Sequence, residues 1–197
     1  HHIFNQMAKS DNAVVLWDNV IKTDTDRYEQ EDILMNFVTN HDENSWNGTI
    51  YERMKDASEL LTALSFVAPG MPLIYSGQEY DLNKRLRFFE KDSFPKTTGS
   101  TMKLLQQLGA LKNNHPALES GKEGGSFRKL PTTKENQVYA FERGKEEEFK
   151  EKESKKKINA LRLSSIIFVV ALVYVVVVVV NSLEDIIEKN FAYSSCV

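Results

Sequence analysis

Asn40-His41-Asp42-Glu43 is the cluster in this sequence with the most evident capacity for chemistry. A histidine and a carboxylate side by side at the end of a strand can hold the hydroxyls of a sugar ring. A carboxylate so placed can also stabilise the positive charge of an oxocarbenium-like transition state. Without further context the structural reading weighs more, because adjacent His and Asp are common and usually make only surface hydrogen bonds. The loop continues through Asn44, Ser45, Asn47 and Gly48 and carries Trp46, a large aromatic in otherwise polar company.

The elements around this cluster have to present it. Ile33 to Thr39 is a short apolar run bounded by polar residues, which predicts a buried strand running straight into the cluster. Glu52 to Val67 places Met54, Ala57, Leu60, Leu61, Leu64 and Val67 at helical spacing, and Pro69-Gly70 stops that helix. Met71 to Tyr75 predicts a second buried strand, followed by the polar loop Ser76-Gly77-Gln78-Glu79. Strand, polar loop, helix, turn, strand and polar loop is the grammar of a parallel α/β fold, whose chemistry sits on loops leaving the strand C-termini. Upstream, Ile3, Phe4 and Met7, then Val14, Val15, Trp17, Val20 and Ile21 have helical spacing, with Asp11 or Asn12 as a cap for the second helix. Lys22 to Asp32 reads as surface loop, so Asp24, Asp26 and Glu29 read as solvated. Downstream, Thr101 to Lys112 is helical in pattern, and 126–130 and 137–141 read as short antiparallel strands opening a small β domain near Ala117.

Bulk properties bound the rest. With 197 residues, 41% hydrophobic and 27% charged, the chain is long enough for one sizeable core but short of a complete enzyme barrel of about 250 residues. A net charge of −3 gives no electrostatic case for nucleic-acid binding. The lone Cys196 excludes an internal disulfide and leaves the compartment open. His1 opens the chain without a signal-peptide pattern, and the chain is expected to begin inside a longer protein. Asn47-Gly48-Thr49 matches a glycosylation sequon but reads as a turn, and His115, before Pro116, reads as a helix-end residue.

Residues 37–46, FVTNHDENSW, closely resemble the strand-seven segment of the α-amylase superfamily, glycoside hydrolase family 13. Residues 70–79, GMPLIYSGQE, resemble its strand-eight segment, in the same order and separated by one helix. Residues 82–92 look like the loop after strand eight in bacterial members, and Asn114-His115-Pro116-Ala117-Leu118 like the exit of helix eight. The resemblance covers roughly residues 1–143. It implies an α/β fold: the C-terminal part of a (β/α)8 TIM barrel over 1–116 and the start of a C-terminal β domain over 117–144; the charged linker and atypical apolar tail over 145–197 fall outside it.

The resemblance also implies roles. Asp42 is the transition-state-stabilising carboxylate, and His41 donates hydrogen bonds to the same sugar. Asn40, Trp46 and Arg85 are substrate-positioning groups, although Trp46 reads equally as a packing residue, and Gln78 and Glu79 shape the barrel rim. A retaining glycosidase needs a carboxylate nucleophile and a carboxyl general acid/base about 5 Å apart. In this family they are an Asp after strand four and a Glu after strand five. Both precede the strand-seven motif, so the expectation is that this chain is inactive alone. The intact parent is expected to cleave α-glucosidic bonds in starch-like α-glucans or maltooligosaccharides, with transglycosylation and isomerisation as other chemistries of the scaffold. No cofactor is expected in this chain; calcium, where the parent uses it, is expected to have its ligands mostly upstream. A secreted or periplasmic setting is favoured slightly over a cytoplasmic one.

The tail fits least well. Residues 145–157 are a dense mixed-charge run, which reads as a solvated linker or exposed helix, and Ile166 to Val180 is uninterrupted apolar sequence. Three readings stand: a membrane span over Leu163 to Leu183, with Lys155, Lys156, Lys157 and Arg162 on its cytoplasmic side; buried valine-rich strands; or a frame error after Gly144. The alternative function is accordingly a non-catalytic, membrane-anchored carbohydrate-binding or remnant protein.

Overall fold

The computed structural model of the chain describes residues 2–153 and the backbone of 177–180. Helices α1 (His2–Met7) and α2 (Ala13–Arg27) open it, and strand β1 (Met35–Asn36) follows. A π-helical turn, Glu43–Asn47, leads to α3 (Ile50–Met54) and α4 (Ser58–Val67). Strand β2 (Met71–Pro72) runs parallel to β1, with Met35 opposite Met71 and Asn36 opposite Pro72. The 15-residue helix α5 (Ser100–Asn114) leads into an antiparallel sheet of β3 (Ser126–Leu130), β4 (Val138–Gly144) and β5 (Val177–Val180), in the order β3-β4-β5.

One core joins these parts. Phe4, Val14 and Trp17 of α1 and α2 meet Met54, Leu61 and Leu64 of α3 and α4, and Tyr139 and Phe141 of β4 belong to the same cluster. The helical part and the β hairpin therefore hide their apolar surface against each other, which is the main force holding them together. Arg143 ties the joint. Its Nε donates to the Gly125 carbonyl at 2.9 Å and its Nη1 to the Val67 carbonyl at 3.0 Å, at the C-terminal end of α4 where a cation is favoured. Burial pulls its pKa down to about 10.

Two glycines are fixed by geometry. Gly70, at φ +107°, lies where a Cβ would come within 2.2 Å of the Leu34 carbonyl, the acceptor of the Met71 amide that joins β1 to β2. Gly99 leaves room for the Asp81 carboxylate, whose Oδ1 accepts the Thr101 amide at 3.1 Å and so caps the start of α5.

Several expectations need correction. Lys22 to Arg27 is helix, not loop: Thr23 and Thr25 turn their hydroxyls onto the Asn19 and Ile21 carbonyls one turn back, and Arg27 favours the helix C-terminus. Asn12 stands at the N-cap of α2 but makes no side-chain capping bond. The helix expected over Glu52 to Val67 starts earlier and breaks, with Lys55 at φ +47° between α3 and α4. The two strands are shorter than the apolar runs that carry them, and Ile33, Met35, Met71 and Ile74 are half exposed rather than buried. Of the two readings of the charged run, the helix is the one found, over residues 146–153, and it differs from a fully exposed helix in that Phe149 is buried under Arg128, its ring 4.2 Å from the guanidinium carbon. Of the apolar tail, Val177–Val180 pairs with β4, while 154–176 and 181–197, including Cys196 and the rest of the 163–183 stretch, lie outside the described residues. Among the described residues no helix is long and apolar enough to cross a membrane.

Candidate functional site

Chain geometry after β1 sorts the cluster into outward and inward side chains. Val38 and Thr39 are buried, and the backbone then coils immediately, with Asp42 in helical conformation. Asn40 starts this turn: its Oδ1 accepts the Glu43 amide at 2.8 Å and its carbonyl accepts the Asn44 amide at 2.9 Å. His41 and Asp42 point to solvent, 64% and 59% exposed, with His41 Nε2 3.6 Å from Asp42 Oδ2. Both therefore present hydrogen-bonding atoms to a ligand, and the carboxylate pairs with its neighbour without being enclosed.

Glu43 goes the other way. Buried, it faces Arg53 Nη1 at 3.3 Å. Arg53 also donates from Nε to the Gly48 carbonyl at 2.8 Å, from Nη2 to the Val38 carbonyl at 2.7 Å and from Nη1 to Asn5 Oδ1 at 2.5 Å. One guanidinium thus ties the end of the strand, the end of the turn and α1 behind the exposed pair. Burial lowers its pKa against the opposing pull of Glu43. Thr49 closes the segment with a capping box: its hydroxyl accepts the Glu52 amide and Glu52 accepts the Thr49 amide.

A second wall comes from residues 84–93. Asn44 makes a two-way contact with it, accepting the Leu86 amide at 2.7 Å and donating to the Lys84 carbonyl at 3.1 Å, and the Ser45 hydroxyl donates to the Leu86 carbonyl at 2.7 Å. Asp92 closes the loop on itself, taking Lys84 Nζ at 2.6 Å and the amides of Arg87 and Ser93. These donors hold its carboxyl at about 2, below the usual 3.8. The loop lays Phe88 between His41 and Trp46, with ring centroids 5.6 and 5.3 Å away. Trp46 is 59% exposed, so it is a surface ring and not a core one. An open cleft of about 540 Å³ runs past Trp46, Arg85, Phe88 and Phe89.

The structure brings His41, Asp42 and Trp46 onto one face. Asn40 sits beneath it as the cap of the turn. Arg85 reaches the cleft but is anchored on Glu52, Nε to Oε2 2.9 Å, over Gly48. Gln78 is buried, with the Tyr75 amide at 3.4 Å from its Oε1. His115 does end a helix, its Nδ1 accepting the Ala117 amide, and Gly48 and Thr49 of the sequon form the turn. Asp24 and Asp26 lie in α2 and Glu29 is exposed beyond it. Arg53, Asn44 and Phe88 were not singled out by the motif. Arg53 is hidden there because a charged residue on an amphipathic helix reads as solvated. Among the described residues no group of three or more His, Cys, Asp or Glu is placed to hold a metal ion such as calcium.

This arrangement of helices and strands has counterparts among solved structures. A noncanonic maltogenic α-amylase, AmyB from Thermotoga neapolitana, superposes with a TM-score of 0.59 at 18% identity, over 71% of this chain and 32% of its own. In fold, the chain resembles one third of an α-amylase. An α-amylase from Lactobacillus plantarum gives 0.55 at 17% identity, with the same coverages of 71% and 32%. CldA, a cyclomaltodextrin glucanotransferase with a three-domain ABC distribution, gives 0.54 at 20% identity, over 73% of this chain and 29% of its own. No protein-family model and no curated protein matches the sequence.

Proposed function

We propose that this chain forms part of the substrate-binding face of a retaining glycoside hydrolase acting on α-glucans, at the C-terminal end of a (β/α)8 barrel. The observation that carries the reading is the exposed His41–Asp42 pair on the turn that follows β1, backed by the Glu43–Arg53 pair and flanked by Phe88 and Trp46. In this reading Asp42 accepts hydroxyls of the sugar being cleaved and stabilises its developing positive charge, and His41 donates to the same ring. Trp46 and Arg85 position the glucan, and Asn40 acts from beneath by fixing the turn. The nucleophile and the general acid/base belong to other parts of the intact enzyme, so the chain binds but does not turn over by itself.

The test uses the intact enzyme. Asp42→Ala is expected to lower kcat on a maltooligosaccharide by roughly 10²–10³-fold with an unchanged circular-dichroism spectrum, because the side chain is exposed and supports no part of the core. Near-normal turnover in that variant would remove Asp42 from the chemistry.

A further inference from the structure

Tyr139 and Phe141 of β4 belong to the core, so strand alternation turns Glu142, and Arg128 opposite it in register, to the other face of the hairpin. The helix at residues 146–153 lies over that face. Gly144 permits the sharp exit from β4, since a Cβ there would meet the Phe149 ring at 2.8 Å and Glu148 Oε2 at 3.0 Å. Glu148 accepts the Lys145 amide at 3.0 Å, which fixes the start of the helix. A helix this short does not persist in water unless something packs on it. Among its residues only Phe149 is buried, and that ring belongs to neither apolar cluster of the described residues. The rest of the attachment is ionic. Glu142, 5% exposed, accepts Arg128 Nε at 2.6 Å and Lys152 Nζ at 2.9 Å, and Arg128 Nη1 donates to Glu153 Oε1 at 2.8 Å. An element held by one ring and a few ion pairs opens at a lower free energy than the core it rests on.

We propose that residues 145–153 form an electrostatic strap that opens and closes as a unit on the folded core, and that its state controls access of a lysine-specific protease to Lys150. Closed, the strap is helical and offers a protease no extended backbone, although the Lys150 side chain itself is exposed. Open, it is a charged, lysine-rich segment of the kind that is nicked first. Hydrolysis adds one water across the Lys150–Glu151 bond and leaves a carboxylate on one side and an ammonium on the other, with no further reactant. Glu142 is the closing group, because the two cations that meet on it come from the two sides of the joint, Arg128 from β3 and Lys152 from the strap. The device is independent of the His41–Asp42 face.

The test is digestion of the full chain by a lysine-specific endoprotease under native conditions, with the cut after Lys150 followed by mass spectrometry. While closing outpaces cutting, the rate reads the population of the open strap. Glu142→Gln withdraws the charge shared by Arg128 and Lys152 and is expected to speed the cut roughly 10- to 100-fold, the worth of charge-assisted hydrogen bonds. Lys152→Gln leaves the hairpin untouched and is expected to speed it about 10-fold. In the wild type the cut is expected to rise with urea well before circular dichroism reports loss of the core. Unchanged rates in both variants would overturn the ionic closure. A cut that appears only in step with global unfolding would overturn the separate opening, and a wild-type rate equal to that of a free peptide of residues 145–153 would show that no strap is closed.

Discussion

Asp42 and Glu43 are adjacent in the chain and have opposite environments. The first is exposed beside His41; the second is buried against Arg53. Removing one member of a buried pair strands the other's charge, which costs about 3–5 kcal/mol. Arg53→Met is therefore expected to destabilise the chain by about that much in urea denaturation, and to broaden the NMR signals of residues 40–46 in whatever remains folded. A loss under about 1 kcal/mol would show that the guanidinium is not the brace described. At this scale the sequence was partly legible. The strand-end motif pointed to His41 and Asp42, but residue types alone could not tell which carboxylate faces water. That is decided by the turn that Asn40 caps, four residues after β1 ends.

Among the elements, the loop 84–93 is closed on a charge. Asp92 sits at about 2 against the usual 3.8, so between those values the unfolded chain binds more protons than the folded one. Its contribution is complete above about pH 4 and is lost as pH falls through about 2. Asp92→Asn is expected to remove that acid-linked component. Following the Phe88 and Phe89 ring signals by NMR against pH should show the wild-type loop loosening in that window, and the variant loose at neutral pH; identical profiles would contradict the loop closure. Element type read well from apolar spacing: α5 and β3 lie where the pattern put them. Ends read poorly, because they are set by local hydrogen bonds. α2 runs on to Arg27 through a polar segment whose Thr23 and Thr25 hydroxyls are absorbed by the Asn19 and Ile21 carbonyls, and nothing in the amphipathic spacing marks the break at Lys55.

Across the whole molecule, the joint between helices and β hairpin carries two cations close together. Lys112 Nζ donates to the Gly70 carbonyl at 2.7 Å, and burial, with the nearby Arg143 charge, brings its pKa down to about 8 from 10.5. The unfolded chain therefore binds more protons between those values, so stability is expected to rise as pH increases from about 8 towards 10.5. Thermal unfolding of Lys112→Met should lack that rise, and an identical pH profile in the variant would contradict the half-buried cation. The fusion of the two parts into one core was not legible, since Tyr139 and Phe141 read simply as strand residues until α1 to α4 were seen packed on them. The exposed apolar edge of the short parallel pair, Met35 and Met71, was equally invisible, because periodicity reports apolar character and not the neighbour that would cover it.

Binding of an α-glucan at the His41–Asp42 face is tested by a ¹⁵N–¹H NMR titration of the full chain with maltoheptaose. Saturable shifts are expected at the amides of residues 40–46 and 85–90 and at the Trp46 indole, with the Trp17 indole unmoved. Shifts confined to other surfaces, or none at millimolar sugar while the spectrum stays folded, would contradict it.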